Sequence, residues 1–266
     1  MFREIRYRTL DGEKLAGILS IPKNPHGFVL MMHGITESKD EYLGFYSKMA
    51  KSLHDNGVAS LRFDFRGHGE STGSSLDISV IGDVLDIKAS IAQVRKYWKR
   101  PISLVATSFG AGPTLIVASE QPQDFRNLLL IAPVIDYDRT FLKPETAWAR
   151  ASFNPRAFKS LQKTGYLVLD DSFRLSARLI EEFKVIKPYL FLREIRIPTL
   201  IVHGDKDSMV PYDVSFEWAK SNKLIRFVTL KNADHGYPDY RDEEGNGPRS
   251  MANLQKIISE LIRLAK

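Results

Sequence analysis

Six short apolar runs constrain this chain more than any other feature. They occupy residues 28–32, 58–63, 102–106, 128–131, 199–202 and 225–230. A strand wetted on one face alternates apolar with polar residues, whereas a strand covered on both faces reads as a continuous apolar run, as in a parallel sheet. Helix-compatible stretches separate the runs at 41–55, 77–98, 109–120 and 250–265, with Asp77 as a candidate N-cap of the second. Residues 2–10 and 13–21 flank Asp11-Gly12 and read as a hairpin. The sum is an α/β fold, a doubly wound, mostly parallel central sheet with helices on both faces and an antiparallel hairpin at one edge.

Composition narrows the class. The chain has 266 residues, 43% hydrophobic and 26% charged, which is ordinary for a globular protein, and a length for one large or two small domains. It has no cysteine, so disulfides, Cys-ligated zinc, iron–sulfur clusters and a thiol nucleophile are all excluded. The opening Met1-Phe2-Arg3-Glu4-Ile5-Arg6 lacks the apolar core of a signal peptide, and no run approaches the ~20 residues of a membrane span, so a cytoplasmic location is expected. A net charge of +6 is too small to argue for a nucleic-acid partner.

One segment breaks the rhythm. Residues 134–193 have no buried-strand signature but carry Tyr137, Phe141, Trp148, Phe153, Phe158, Tyr166 and Phe173. Within it, 172–184 reads as an amphipathic helix with Phe173, Leu175, Leu179, Ile180 and Phe183 as its apolar positions. A structureless loop of this length is improbable. The expected organisation is a core of residues 1–133 and 194–266 with 134–193 inserted as a cap.

The residues richest in chemistry are Ala106-Thr107-Ser108-Phe109-Gly110-Ala111-Gly112-Pro113. An apolar strand runs into a serine and a helix begins at once, the setting of a nucleophile elbow. Such a turn is tight, so the residues two before and two after the serine must be small, as Ala106 and Gly110 are. The helix N-terminus then points at the serine, where its dipole would favour a developing oxyanion. The bland alternative is a strand-to-helix turn with a capping serine. After the fifth run comes His203-Gly204-Asp205-Lys206-Asp207-Ser208-Met209-Val210-Pro211, and after the sixth Asn232-Ala233-Asp234-His235-Gly236. In a parallel sheet all three loops leave the same carboxyl edge, so serine, acid and histidine converge on one place.

With these motifs the chain resembles the α/β-hydrolase superfamily of serine hydrolases over nearly its whole length. The stretch Arg62-Phe63-Asp64-Phe65-Arg66-Gly67-His68-Gly69-Glu70-Ser71 looks like the segment following strand 4 in esterases, thioesterases and lipases, and with Gly165-Tyr166 the chain is most similar to the cinnamoyl/feruloyl esterase group. The resemblance implies Ser108 as nucleophile, Asp207 as acid and His235 as base. It favours Asp207 over Asp205 by the spacing from His203 and the following Val210-Pro211, and leaves Asp234 as a turn residue. It also implies an oxyanion hole from the backbone N–H groups of Ile35 and Phe109, and Tyr166 as a substrate-pocket residue. The implied activity is a cofactor-free carboxylesterase acting on small acyl or aromatic-acid esters through an acyl-enzyme. Alternatives are a thioesterase on acyl-CoA or acyl carrier protein and, from another class, a non-catalytic ligand-binding protein of the same fold. No His/Asp/Glu cluster has metal-ligand spacing. The open edge of the sheet could pair two copies.

The charge has an address. Between Arg139 and Lys163 six basic residues face a single acid, Glu145, so the excess sits in the expected cap. It is either a solvated face or an attractor for an anionic substrate.

Overall fold

The computed structural model describes residues 2–169 and 173–265. Its core is an eight-stranded sheet of β1 (Phe2–Arg8), β2 (Lys14–Ser20), β3 (Gly27–Met32), β4 (Val58–Phe63), β5 (Ile102–Thr107), β6 (Phe125–Ile131), β9 (Thr199–Gly204) and β10 (Ile225–Leu230). Their spatial order is β1-β2-β4-β3-β5-β6-β9-β10. From β4 to β10 every pairing is parallel, while β2 runs antiparallel to both β1 and β4. All six apolar runs are therefore parallel strands, and the hairpin forms the antiparallel edge.

The unbroken apolar runs are explained by which way successive residues point. Along β3, Phe28, Leu30 and Met32 join one core cluster and Val29 and Met31 the other. Leu104 and Ala106 against Val105 divide in the same way on β5. On one face pack α1 (Phe45–Asp55) and α9 (Pro248–Ala265). The opposite face is covered by α2 (Val80–Val94), α3 (Ala111–Glu120) and α8 (Tyr212–Ala219). With period-two side chains and helices on both faces, neither face can be polar.

Helix starts differ from the sequence reading for local reasons. The helix expected from 77 begins at Val80, because Ile78 is extended and Ser79 is the cap, its hydroxyl accepting the Gly82 N–H. Asp77 instead accepts from the backbone and hydroxyl of Ser74. The helix expected from 41 begins at Phe45, since Glu41, Leu43 and Gly44 all hold positive φ.

Between β6 and β9 the chain forms α4 (Ala147–Ser152), α5 (Pro155–Thr164), a two-stranded sheet of β7 (Tyr166–Val168) and β8 (Arg174–Ser176), then α6 (Ala177–Val185) and α7 (Pro188–Arg193). The helix expected over 172–184 is thus α6. Residue 172 lies outside the described residues, and Phe173 and Leu175 precede the helix, whose cap is Ser176 accepting from Leu179 N–H. Asn154 and Thr146 cap α5 and α4 in the same manner.

Aromatic packing fastens this segment to the sheet. Phe183 of α6 lies with its ring centre 5.9 Å from Phe109, 4.7 Å from Tyr137 and 4.7 Å from Phe141. Phe183 is fully buried, so truncating it removes contacts on all sides. Phe183→Ala should cost about 3–5 kcal/mol in urea unfolding, the usual scale for emptying a buried phenylalanine site. A loss under about 1 kcal/mol would show that the segment is held elsewhere.

Candidate active site

Ser108 follows the last residue of β5 and adopts φ 51°, a left-handed backbone unusual for a residue with a side chain. Its neighbours must make room. A Cβ on Gly110 would fall 2.4 Å from the His33 carbonyl oxygen, so position 110 admits only glycine. Ser108 lines a cavity of about 380 Å³ at the carboxyl edge of the parallel strands, shared with Ile35, Phe141, Trp148, Met209 and His235.

Asp207 and His235 are brought together from the loops after β9 and β10. His235 Nδ1 lies 2.8 Å from Asp207 Oδ2, and His203 Nε2 lies 3.0 Å from the same oxygen. The backbone N–H groups of Met209 and Val210 donate to Asp207 Oδ1 at 2.9 and 2.8 Å. Both carboxylate oxygens are thus occupied, and the side chain is fully buried. Burial alone would raise this carboxyl, but the two imidazoles outweigh it and hold Asp207 well below the usual carboxylate range. Burial likewise pulls the His235 imidazolium down, and the Asp207 carboxylate reverses that, leaving His235 raised above its ordinary value. Because a carboxylate only accepts, both rings must donate to it, which sets the His235 tautomer and leaves its Nε2 for other partners. Ser108 and His235 face one cavity; among the described residues no hydrogen bond joins them directly.

The competing acids are used elsewhere. Asp205 accepts the Asn232 N–H at 2.7 Å and pairs with Lys231. Asp234 accepts from Ser208 N–H, Ser208 Oγ and His235 N–H, each at 2.8 Å. Both tie loops together rather than meeting the imidazole ring.

Ile35 lines the cavity in the loop after β3. That loop is braced by His33, whose Nδ1 meets the Gly34 carbonyl at 2.7 Å while Nε2 accepts the Phe65 N–H at 3.0 Å. This pattern makes His33 the Nδ1–H tautomer, and burial depresses it to about 4. Asp64, in the resemblance segment, is fully buried and accepts from Lys39 N–H, Lys39 Nζ and Glu70 N–H. It thereby joins the β3 and β4 loops. Phe109 sends its side chain away from the cavity, into the aromatic cluster with Tyr137.

Tyr166 lies apart from the described cavity lining. The ring lies on β7 with the Arg174 guanidinium 4.8 Å from its centre, and it is not among the residues lining the cavity. Its backbone is committed to the small β7–β8 pairing, which turns it off the cavity wall. The segment's contribution to that wall comes instead from Val134, Phe141 and Trp148. The charged lining also differs from the anionic-substrate reading. The described lining includes Glu37, Glu41, Asp234, Asp239, Asp242 and Glu243 and neither lysine nor arginine. Of the segment's bases, Arg139 is bound by Glu145 and Glu217, while Arg150, Arg156, Lys159 and Lys163 lie exposed on α4 and α5. Glu37 and Glu41 carried no sequence signal, because their approach to the cavity depends on left-handed loop residues. Among the described residues no group of three His, Asp or Glu side chains is arranged to hold a metal ion. None of the described helices is long and apolar enough to cross a membrane.

The family described as serine aminopeptidase, S33 matches residues 23–181, which include Ser108 and the β3 loop but end before Asp207 and His235. The human monoacylglycerol lipase ABHD6 is 34% identical over 258 residues, covering 85% of this chain and 73% of the relative. The rat ABHD6 is 25% identical over the same extent. Among solved structures, Est1E from Butyrivibrio proteoclasticus with ferulic acid bound superposes with a TM-score of 0.80 at 23% identity, covering 98% of each chain. Mouse alpha/beta hydrolase domain-containing protein 10 gives 0.72 at 20% identity, also over 98% of each chain. At these identities the structural likeness speaks for the fold.

The electrostatics yield a direct test. The His235 ring, followed by NMR, should titrate with a midpoint above the ordinary 6.5. Asp207→Asn removes the carboxylate that raises it and leaves the burial that lowers it, so the midpoint should fall. A midpoint that does not move would show that Asp207 does not govern this ring.

Proposed function

The chain belongs to the serine aminopeptidase, S33 family of α/β-hydrolases, and on that premise we propose that it is a serine carboxylesterase working through Ser108, His235 and Asp207. The observation that carries the reading is the Asp207–His235 hydrogen bond at the rim of the cavity that Ser108 lines. Neither group alone would activate a hydroxyl. A neutral imidazole held by a carboxylate can take its proton as the oxygen attacks.

In the proposed cycle His235 Nε2 accepts the Ser108 proton while Oγ bonds to the ester carbonyl carbon. The resulting oxyanion is held by the backbone N–H groups of Ile35 and Phe109, at the start of the turn leading into α3. Collapse expels the alcohol, which takes the proton from His235. Water then repeats the sequence on the acyl-enzyme and frees the acid and Ser108. Asp207 stays ionised and stabilises the imidazolium. Residues 134–193 serve as the cap, placing Phe141 and Trp148 over the acyl or aryl group.

The cavity wall supports this substrate class. Aromatic and aliphatic side chains suit an acyl or aromatic-acid ester. This fits the monoacylglycerol lipase and ferulic-acid-bound neighbours. The acidic lining supports an uncharged ester over a polyanionic coenzyme A thioester.

Ser108→Ala should abolish both hydrolysis of nitrophenyl esters and labelling by a fluorophosphonate probe, with an unchanged circular dichroism spectrum. Labelling equal to the wild type would overturn the assignment. Asp207→Asn should lower kcat by roughly 10⁴-fold, the scale for a neutralised triad aspartate. Asp205→Asn should leave kcat largely intact, and the reverse ranking would exchange their roles.

A further inference from the structure

One carboxyl in the cavity wall has no part in this cycle. Glu41 is 7% exposed, and among the described residues neither a lysine nor an arginine pairs with it. The charged groups acting on it are Glu37 and His235, with the Tyr46 phenol buried behind it. Burial, assisted by Glu37, lifts the carboxyl to about 7. Its backbone is also left-handed, at φ 60°. Burying a carboxyl without a cation and straining its backbone both oppose folding. Their coincidence in one residue beside the reacting atoms asks what the carboxyl holds.

It holds the peptide next to the nucleophile. Glu41 Oε2 accepts the Gly34 N–H at 2.9 Å, and Oε1 accepts the Tyr42 N–H at 3.3 Å. A Cβ on Gly34 would stand 3.1 Å from Ser108 Cβ and 3.7 Å from both Ser108 Oγ and Glu41 Oε1. The Gly34 backbone is therefore enclosed between Ser108 and Glu41. On its other side, the Gly34 carbonyl is met by His33 Nδ1 at 2.7 Å and Glu37 N–H at 3.4 Å. A trans peptide is planar, with C=O and the next N–H pointing opposite ways, so holding Gly34 at both ends orients the Ile35 N–H.

We propose that Glu41 is a positioning residue for the oxyanion hole: by accepting the Gly34 N–H it fixes Gly34 against Ser108, and with the contacts on the Gly34 carbonyl this sets the following Gly34–Ile35 peptide. The inference rests on the serine-esterase reading. What matters is the acceptor oxygen rather than the negative charge, and this separates it from a bulk electrostatic role.

Two variants distinguish these. Glu41→Gln keeps an acceptor and loses the charge, whereas Glu41→Met fills the volume and accepts nothing. On a nitrophenyl ester, Glu41→Met should lose about 10–100-fold in kcat with KM nearly unchanged, the scale for a misaligned oxyanion donor. Its affinity for an aryl trifluoromethyl ketone, which forms the oxyanion, should fall in parallel with kcat/KM, while affinity for the product acid should hold. Glu41→Gln should stay within about threefold of the wild type on all readouts, since an amide oxygen also accepts. If Glu41→Met does not fold, Glu41→Asn, whose shorter amide falls short of Gly34, takes its place with the same expectation. A kcat within twofold in the non-accepting variant overturns the inference, and so does a glutamine variant as impaired as the methionine one. Hydrolysis that survives Ser108→Ala instead overturns the esterase reading beneath it, so the two failures are distinguishable.

Discussion

The left-handed backbone at Ser108 is the constraint on which the surrounding structure depends. Such a conformation costs about 1–3 kcal/mol and persists only where its surroundings over-determine it. Here β5 enters the turn between β3 and β6 with its hydrogen bonds made, α3 leaves it at once, and the Ser108 carbonyl is taken by the Val134 N–H at 2.9 Å. The chain cannot relax without breaking the central sheet. Its closeness to the β3 loop in turn demands glycine at 110 and makes a Cβ at 34 tight against Ser108. The serine is thereby lifted clear of the sheet and into the cavity.

The second organising element is the fully buried Asp207 carboxylate. Two imidazoles and two backbone N–H groups surround it, enough to keep it ionised despite burial. His203 comes from within β9 and His235 from beyond β10, so the carboxylate also links adjacent strands at their active edge. Asp64 does the equivalent work for the loops after β3 and β4. Buried carboxylates thus brace both sides of the Ser108 turn, each satisfied by several donors as burial requires.

Phe109 has two separate duties. Its main chain adjoins Ser108, while its ring packs residues 134–193 through Tyr137, Phe141 and Phe183. Movement in that segment is mechanically tied to the turn carrying Ser108. Arg150, Arg156, Lys159 and Lys163 are exposed on α4 and α5, whereas the described cavity lining carries carboxyls, so that surface and the cavity differ in the sign of their charge.

All six parallel strands were legible as apolar runs; burial on both faces leaves that signature in the inner five, while the edge strand β10 is only partly covered. The meeting of Ser108, Asp207 and His235 was legible as well, because parallel strands deliver their following loops to one edge. The resemblance pointed to Asp207 rather than Asp205 through its spacing from His203, and it is Asp207 that hydrogen-bonds the His235 ring. Caps at Ser79 and Ser176 were missed, because a serine hydroxyl two to four residues beyond the expected start sets where the helix begins. The position of Tyr166 off the described cavity lining and that of Glu41 on it were not legible, for a common reason. Which side chain faces the cavity depends on β7–β8 pairing and on left-handed residues at 41, 43 and 44, and non-local contacts decide both. Local pattern by itself determined the strands and the loops at their carboxyl edge, and the resemblance named Ser108, Asp207 and His235 as the candidate residues there. Only the tertiary structure decided the wall of the pocket, the sign of its charge and the carboxyl that steadies its edge, because those depend on contacts between residues distant in the chain.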